Sequence, residues 1–194
     1  MHAPDESDAS ISTSLLVRAQ AADGEAWKRL TRLFEPLVCG WVRRASVPEA
    51  DGADVVQDVF LEVFRSIGQF RRHRTDDTFA GWVRTIARRR ACDYFRRTHG
   101  VLAAGGTEAN DRMLQVPDDP SDDAEDPTET VVQRGLDLIR GEFEARTWNA
   151  FEATTVNARP AAEVGAELGL SVGAVYIAKS RVLKRLREEL DGLI

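Results

Sequence analysis

The chain has 194 residues, of which 43% are hydrophobic and 30% charged, and its net charge at pH 7 is −6. That length allows one or two domains with real cores, and no apolar stretch approaches the roughly 20 residues that a membrane span needs. Cys39 and Cys92 are far apart in the sequence, so the pattern predicts two isolated buried thiols and disfavours both a disulfide scaffold and a zinc site.

The first residues predict a tail and not a targeting signal. Residues 1–11 are acidic and polar and lack the charged-then-apolar pattern of a signal peptide. We therefore expect a disordered tail in a cytoplasmic protein, followed by a helical domain over residues 12–98. No run alternates with period two for long enough to suggest a sheet. Within that domain, helices are predicted at about 15–21, around 27–41, at 51–67 and at 77–97.

The helix predicted at 51–67 has two different sides. On a helical wheel, its core side carries Val56, Val59, Phe60, Val63 and Phe64. A leucine ringed by acids and an amide suits an interface with a basic protein, although a solvated face with one stray leucine fits the same spacing. The candidate interface on the opposite side comprises Asp54, Gln57, Asp58 and Leu61.

The helix predicted at 77–97 carries clustered arginines. Its core side holds Phe79, Val83, Ile86, Ala87 and Tyr94. Arginines contact phosphates, and an aromatic ring at the border of the apolar side can stack on an unpaired base, but a soluble helix with arginines chosen for propensity is an equal alternative. Arg90 falls in the middle of the apolar side, where it either pairs with an acid or marks a break. The candidate single-strand site comprises Arg71, Arg72, Arg74, Trp82, Arg84, Arg88, Arg89 and Arg96.

An acidic, proline-containing segment follows the first domain. Nine acidic residues and one basic residue occur between Thr107 and Thr130, and three of the seven prolines lie there as well. Such a segment cannot bury enough apolar surface to fold alone. We therefore predict a flexible acidic linker over residues 99–129 and a second domain over residues 130–194. The fold class is all-α, with two small helical domains.

The second domain contains the strongest local signal, a helix-turn-helix. Helices are predicted near 128–144, 146–157, 161–168 and 171–190. Gly169 permits a left-handed turn, Ser171 is a good N-cap, and Gly165 leaves room for Val175 between two crossing helices. The outward side of the last helix is small or apolar at first, which lets it approach base edges and thymine methyls, and then basic. The candidate DNA contacts are Ser171, Gly173, Ala174, Ile177, Arg181, Lys184 and Arg185.

Taken together, these segments resemble the extracytoplasmic-function group of sigma factors. DGADVVQDVFLEVFRSIGQF (51–70) resembles the region of that group that binds the polymerase clamp, and FAGWVRTIARRRACDYFRR (79–97) resembles its promoter-melting region. The helix-turn-helix resembles the domain that reads the upstream promoter element. Arg89 stands where asparagine is common in the group, and Arg90 where an apolar residue is common.

The resemblance implies a set of partners and roles. The first partner is core RNA polymerase. Asp54, Gln57 and Asp58 would contact the clamp of its largest subunit, and the chain would also contact its flap region. The second is promoter DNA, and the third is an anti-sigma protein, since many members of the group are held inactive by one. No catalytic residue, metal or cofactor is predicted. The alternative from another class is a stand-alone helix-turn-helix regulator, whose first domain senses or dimerises.

Overall fold

A computed structural model describes residues 14–72, 77–98 and 127–194, and these residues contain helices and no strands. The prediction of an all-α fold is confirmed. In the first half, α1 spans Leu15–Gln20, α2 Gly24–Arg44, α3 Glu49–Ser66 and α4 Phe79–Thr98, and a 3-10 turn at Ile67–Gln69 follows α3. Asp23 caps α2 by accepting hydrogen bonds from the amides of Glu25 and Ala26, as expected of a carboxylate before a helix.

In the second half, the described residues 127–194 contain four further helices. They are α5 at Pro127–Ile139, α6 at Ala145–Thr155, α7 at Ala161–Leu168 and α8 at Val172–Leu190, with a 3-10 turn at Arg140–Glu142 after α5. Helix α5 therefore begins inside the segment predicted as linker, where Pro127 occupies a first-turn position that tolerates a missing amide hydrogen. The remainder of that predicted linker, and the predicted tail at residues 1–11, lie outside the described residues.

One apolar core runs through both halves of the chain. It joins residues of α2, α3 and α4, such as Phe34, Val59 and Phe79, to residues of the second half, such as Ile139 and Leu193. All five of these side chains are fully buried. A smaller cluster of Ala150, Val164, Val175 and Ala178 lies inside the helix-turn-helix. The sequence predicted two separate domains, and the shared core is the main feature of the fold that it did not anticipate.

Backbone and charged groups also join the two halves. The amide of Ala80, at the start of α4, donates a hydrogen bond of 3.0 Å to the carbonyl oxygen of Leu193. On α2, Arg29 Nη2 donates to Glu142 Oε1 at 2.9 Å, and Arg29 Nε lies 2.8 Å from Glu189 Oε1. The pair between Arg29 and Glu189 is well shielded from water, because the Glu189 side chain is only 4% exposed. The first and last thirds of the chain therefore share polar contacts as well as a core.

Several side chains differ from their predicted burial. Phe64 was expected in the core but is 52% exposed, and its ring makes an edge contact with that of Trp27 at 5.0 Å between centroids. Val55 takes the inward position instead, so the buried stripe of α3 is Val55, Val59 and Val63. Cys39 and Cys92 were both expected to be buried, whereas Cys39 is exposed and Cys92 is half-buried.

Among the described residues, no single helix combines the length and the hydropathy that a membrane crossing would require. Helices α7 and α8 reach that threshold only as a pair, and they are bent by 100° at the break between them.

Candidate functional site

The acidic face of α3 consists of Asp54, Gln57, Asp58 and Leu61. Asp54 and Gln57 are exposed, and Leu61 is 44% exposed, as the helical wheel predicted. Asp58 is partly shielded, because Arg97 Nη2 at the end of α4 donates to its Oδ2 at 3.2 Å. The face therefore presents an apolar centre with polar and negative groups around it. That arrangement is suited to a basic protein surface.

Arg90 lies among apolar neighbours because it pairs with an acid on the adjacent helix. Its Nη2 donates to Glu62 Oε2 on α3 at 2.6 Å, and its Nη1 lies 3.8 Å from Asp93 Oδ2 one turn along α4. Helix α4 continues through this position without a break. Of the two alternatives for Arg90, the structure shows the ion pair. Arg90 thus fixes the packing of α4 on α3.

The arginine face of α4 consists of Arg84, Arg88, Arg89 and Arg96. Arg89 and Arg96 are exposed, whereas Arg84 and Arg88 are half-buried and engaged in contacts within the protein. Arg96 Nη2 pairs with Asp93 one turn earlier. On the predicted core side of the helix, Phe79, Val83, Ile86 and Ala87 are buried. Tyr94, also predicted there, is half-buried, and its hydroxyl donates to Asp51 Oδ2 at 2.7 Å. The face is positive, and Arg89 and Arg96 are its exposed cations.

Trp82 lies at the edge of this face and is half-buried. Its ring centroid is 5.2 Å from that of Phe70 and 5.4 Å from that of Phe79, with tilts of 44° and 41°. These rings hold one side of the indole against the core and orient the rest of it. A tryptophan supported in this way is suited to stacking on a flat aromatic group.

The basic loop before α4 is described only at its start. Arg71 is exposed, and its Nη1 donates to the carbonyl oxygens of Gly68 and Phe70 at 2.8 Å each. Arg72 is exposed as well and makes contacts within the protein. Arg74, the third predicted arginine of the loop, lies outside the described residues. These two hydrogen bonds from Arg71 stabilise the backbone at Phe70, whose ring packs against that of Trp82.

The turn between α7 and α8 has the geometry that the sequence predicts. Gly169 has φ 62° and ψ 40°, in the left-handed region, where a residue without Cβ is favoured. The Ser171 hydroxyl accepts a hydrogen bond of 3.1 Å from the amide of Ala174. A Cβ built at Gly165 would lie 2.7 Å from the Leu170 carbonyl oxygen and 3.7 Å from Val175 Cγ2. The small residue is therefore required for the two helices to approach.

Arg146 stabilises this turn, and the sequence did not reveal it. It lies on α6, and its Nε donates to the Leu168 carbonyl oxygen at 2.7 Å while its Nη2 donates to that of Gly169. Carbonyls at the end of a helix lack partners within the helix, and a guanidinium supplies two donors in a fixed geometry. The separation of 22 residues between Arg146 and Leu168 leaves no local pattern by which the contact could be found.

The recognition face of α8 consists of Val172, Gly173, Tyr176, Ile177 and Ser180, all of which are exposed. Tyr176 is 61% exposed and Ile177 55%, the largest values among the exposed apolar side chains of α8. The sequence identified Gly173 and Ile177 on this face but not Val172 and Tyr176. Ala174 is half-buried at its border. Farther along, Arg181 and Lys184 are exposed, as predicted.

Arg185, predicted as a phosphate contact, pairs with two carboxylates within the protein. Its Nε donates to Glu142 Oε2 at 2.7 Å, and its Nη2 lies 2.7 Å from Glu189 Oε2. Burial opposes the charged form of Glu142, but hydrogen bonds from Arg185 and Arg29 outweigh it and hold the pKa of Glu142 below its usual value. Arg185 therefore belongs to the charged contact between the two halves, and its contact with DNA stays a prediction.

The described residues contain no cluster of three histidine, cysteine or carboxylate side chains that could hold a metal ion. The surfaces with functional potential are the acidic face, the arginine face with Trp82, and the recognition face. All three are suited to binding macromolecules through charge, stacking and shape.

Comparison with known proteins identifies the first half. The family model of sigma-70 region 2 matches residues 30–100, a span that contains the acidic face and the arginine face. The extracytoplasmic-function RNA polymerase sigma factor BldN of Streptomyces coelicolor is 31% identical over 91 residues, which are 47% of this chain and 34% of that protein. The match thus spans about a third of the length of this curated relative.

Two solved structures cover more of the chain at lower similarity. An RsbN–BldN complex aligns with 88% of this chain and 96% of its own, with 20% identity and a TM-score of 0.37. CnrH in complex with the cytosolic domain of CnrY aligns with 89% of this chain and 92% of its own, also with 20% identity and a TM-score of 0.37. These superpositions are too loose to support statements about this chain. Residues 30–100 therefore match sigma-70 region 2, and both helices that resemble the extracytoplasmic-function sigma factors lie within this span.

Proposed function

We propose that the chain directs core RNA polymerase to specific promoters and assists in opening the promoter duplex. The observation that carries this proposal is the region 2 match over residues 30–100. It spans two neighbouring helices with different exposed chemistry, an acidic face on α3 and an arginine face with a supported tryptophan on α4. One small domain thus offers a surface for a basic protein beside a surface for nucleic acid.

The acidic face is the proposed contact with polymerase. Asp54 and Gln57 project into solvent around Leu61, so an approaching basic surface would meet both charge complementarity and an apolar centre. We place the clamp of the largest polymerase subunit here, as the resemblance implies. The pairing of Asp58 with Arg97 leaves Asp54 as the most accessible negative charge of the face.

The arginine face and Trp82 are the proposed contact with the unpaired downstream promoter element. The guanidinium of Arg89 is available to phosphates, and the indole of Trp82 is held at an angle by Phe70 and Phe79. Extracting a base from the duplex costs a few kcal/mol, which stacking on an aromatic ring offsets. Arg71 and Arg72 would extend the same positive surface toward residues 73–76.

The helix-turn-helix is the proposed contact with the upstream promoter element in duplex form. Its two helices meet at 100°, within the range typical of DNA-binding helix-turn-helix units. The side chains of the recognition face are exposed to solvent, and Arg181 and Lys184 follow them along α8. A second helix placed in this way enters the major groove in other proteins of this type.

The remaining parts of the proposal concern partners and chemistry. We propose the polymerase flap region as a second polymerase contact and an anti-sigma protein as a regulator, both because the resemblance implies them. A factor of this kind acts by binding and has no catalytic residues of its own. It would work where the polymerase works, in the cytoplasm.

The test is reconstitution with core polymerase that lacks its own specificity subunit. We expect the full chain to co-purify with that polymerase and to support run-off transcription from a subset of genomic fragments. Asp54→Ala should weaken the complex about tenfold, as removal of one complementary charge at an interface typically does. Glu49→Gln, which removes an exposed negative charge at the start of the same helix, is the matched control and should bind as the parent does.

The outcomes separate the two functional classes. Association with polymerase that depends on Asp54, together with promoter-specific transcripts, supports the proposal. Specific DNA binding without any association with polymerase would overturn it and would leave the stand-alone regulator as the explanation.

A further inference from the structure

The recognition face is unusual for a DNA-reading surface because its first two turns carry no charge. From Ser171 to Ala178 the sequence is SVGAVYIA, without a basic, acidic or amide side chain. Three apolar or aromatic side chains project from this part of α8, since Val172 is 45% exposed, Tyr176 61% and Ile177 55%. At 100° per residue they lie on one side of the helix. The face is therefore a small apolar surface and not a polar one.

This composition removes the usual means of reading purines. Guanine is generally read by a bidentate arginine or lysine, and adenine by asparagine or glutamine, and none of these residue types occurs on the first two turns of α8. The Ser171 hydroxyl accepts from the Ala174 amide and is thereby partly committed to capping. The other polar side-chain group on these two turns is the Tyr176 hydroxyl, and the exposed Ser180 hydroxyl follows on the third turn.

An apolar surface in the major groove can still distinguish one base. Thymine alone among the four bases presents a methyl group there, and aliphatic or aromatic side chains contact it favourably. Gly173 assists, because it adds no side chain beside Tyr176 and Ile177, which lie three and four residues farther along the helix, and a Cβ built there meets nothing closer than 4.0 Å. The backbone of α8 can therefore approach the edges of the bases closely.

The charges that follow favour DNA over a protein as the occupant of this face. Arg181 and Lys184 are exposed on the next turns of the same helix, and Lys184 has only a distant ion pair of 3.9 Å with Glu188. An apolar start followed by cations fits a helix whose first turns meet base edges and whose later turns meet phosphates. A protein partner that bound only the apolar face would not require the two cations.

We propose that Tyr176 and Ile177 are specificity residues that read thymine methyl groups in the upstream promoter element. This inference rests on the proposed function and deepens it, since it names what the helix-turn-helix recognises. Tyr176 and Ile177 supply the apolar contact, Gly173 permits the close approach, and Arg181 and Lys184 hold the phosphates. The element is read chiefly through the methyl groups of its thymines and only weakly through hydrogen bonds to guanine.

The experiment uses the full chain bound to core polymerase and a pool of duplexes randomised in the upstream region. After selection, the enriched duplex is remade with deoxyuridine in place of each thymine in turn, which removes the methyl group and leaves the base-pair edges otherwise unchanged. Affinity is measured for both duplexes with the parent chain, with Tyr176→Ala and with Ile177→Ala. Lys184→Ala is the matched control, because it removes a phosphate contact on the same helix.

We expect the enriched duplex to contain thymines whose replacement by deoxyuridine weakens binding about fivefold each, as expected for one buried methyl group. That penalty should disappear in Tyr176→Ala or Ile177→Ala for the thymine that the missing side chain contacts. Lys184→Ala should weaken binding to both duplexes equally and keep the penalty. Both apolar residues are exposed, so their truncation is expected to leave the fold intact.

Other results would overturn the inference in distinguishable ways. If a motif is enriched but deoxyuridine is accepted without loss, the face does not read methyl groups, while the proposed function stands. If Tyr176→Ala weakens polymerase binding and leaves the deoxyuridine penalty unchanged, the face docks on protein. If no upstream sequence is enriched at all, the proposed role of the helix-turn-helix fails together with this inference.

Discussion

Arg29 on α2 and Glu142 in the 3-10 turn after α5 are joined by a hydrogen bond of 2.9 Å that links the two halves of the chain. Glu142 also accepts from Arg185, and Glu189 lies within 2.8 Å of both arginines. Two guanidiniums and two carboxylates thus alternate at the contact, and each carboxylate meets both cations. A charge that is only 4% exposed, as on Glu189, is tolerated because it is paired in this way.

Replacing Arg29 by methionine should lower the free energy of unfolding by about 2 kcal/mol, since a charge-assisted hydrogen bond is lost and Glu189 keeps only Arg185. Lys28→Met is the matched control. Lys28 neighbours Arg29 on α2, but its ion pair with Glu25 is exposed, so the change should cost less than about 0.5 kcal/mol. Urea unfolding measures both values, and equal losses for the two variants would contradict the role of Arg29.

The charged contact should weaken in acid. The pKa of Glu142 is held below the usual value of 4.5 because hydrogen bonds from Arg185 and Arg29 outweigh the effect of burial. A carboxylate with a lowered folded-state pKa stabilises the fold above its unfolded-state pKa, and that stability is lost as pH falls through the folded-state value. The difference in unfolding free energy between the parent and Glu142→Gln should therefore be largest near neutral pH. It should shrink below pH 4.5, and a difference that grows in acid would exclude this explanation.

Gly165→Ala should destabilise the helix-turn-helix by about 2 kcal/mol. The added Cβ would lie 2.7 Å from the Leu170 carbonyl oxygen, and the strain of overpacking exceeds the helix propensity that alanine adds. Gly173→Ala serves as the control, because its Cβ would have nothing closer than 4.0 Å. That change should be neutral or stabilise by about 0.5 kcal/mol. Thermal unfolding followed by circular dichroism compares the two, and an unchanged midpoint for Gly165→Ala would refute the close approach.

Arg90 and Glu62 should show measurable coupling in a double-mutant cycle. Their contact of 2.6 Å joins α3 to α4, but both side chains are about a third exposed, so we expect a coupling of about 0.5–1 kcal/mol. The cycle compares Arg90→Met, Glu62→Gln and the double variant by chemical denaturation. Arg89→Met, at an exposed neighbouring position, should couple to Glu62→Gln by less than about 0.3 kcal/mol. Similar coupling at both positions would mean that the pair is not specific.

Much of the local structure could be predicted because it depends on neighbours in sequence. The helices follow from apolar residues repeating at three and four positions, and the turn at Gly169 and the cap at Ser171 follow from the backbone preferences of single residues. The exposure of Asp54, Gln57 and Leu61 on α3 was predicted correctly for the same reason. Phe64 was not, because a helical wheel places a residue on a side of the helix but does not say how far the neighbouring helix extends to cover it.

The contacts between distant residues could not be predicted from pattern. Arg146 caps α7 from another helix, and Arg185 was assigned to DNA because a cation late in a recognition helix usually meets phosphates. Nothing near Arg185 in sequence identifies Glu142 as its partner. The missed Tyr176 has a different cause, since a tyrosine on an amphipathic helix fits the border of a core as well as an exposed face. Exposure resolves that ambiguity, and sequence periodicity does not.

The core that runs through both halves also predicts how the chain behaves when it is divided. Leu193 is fully buried and belongs to the same cluster as Phe34 and Phe79, so residues 1–98 produced alone would leave an apolar gap, and residues 127–194 would expose the side chains that fill it. Two such fragments, made as separate polypeptides, should reassemble into a heterodimer whose yield depends on concentration, since the covalent connection no longer keeps them together. Transcription supported by the two fragments together would then report their reassembly.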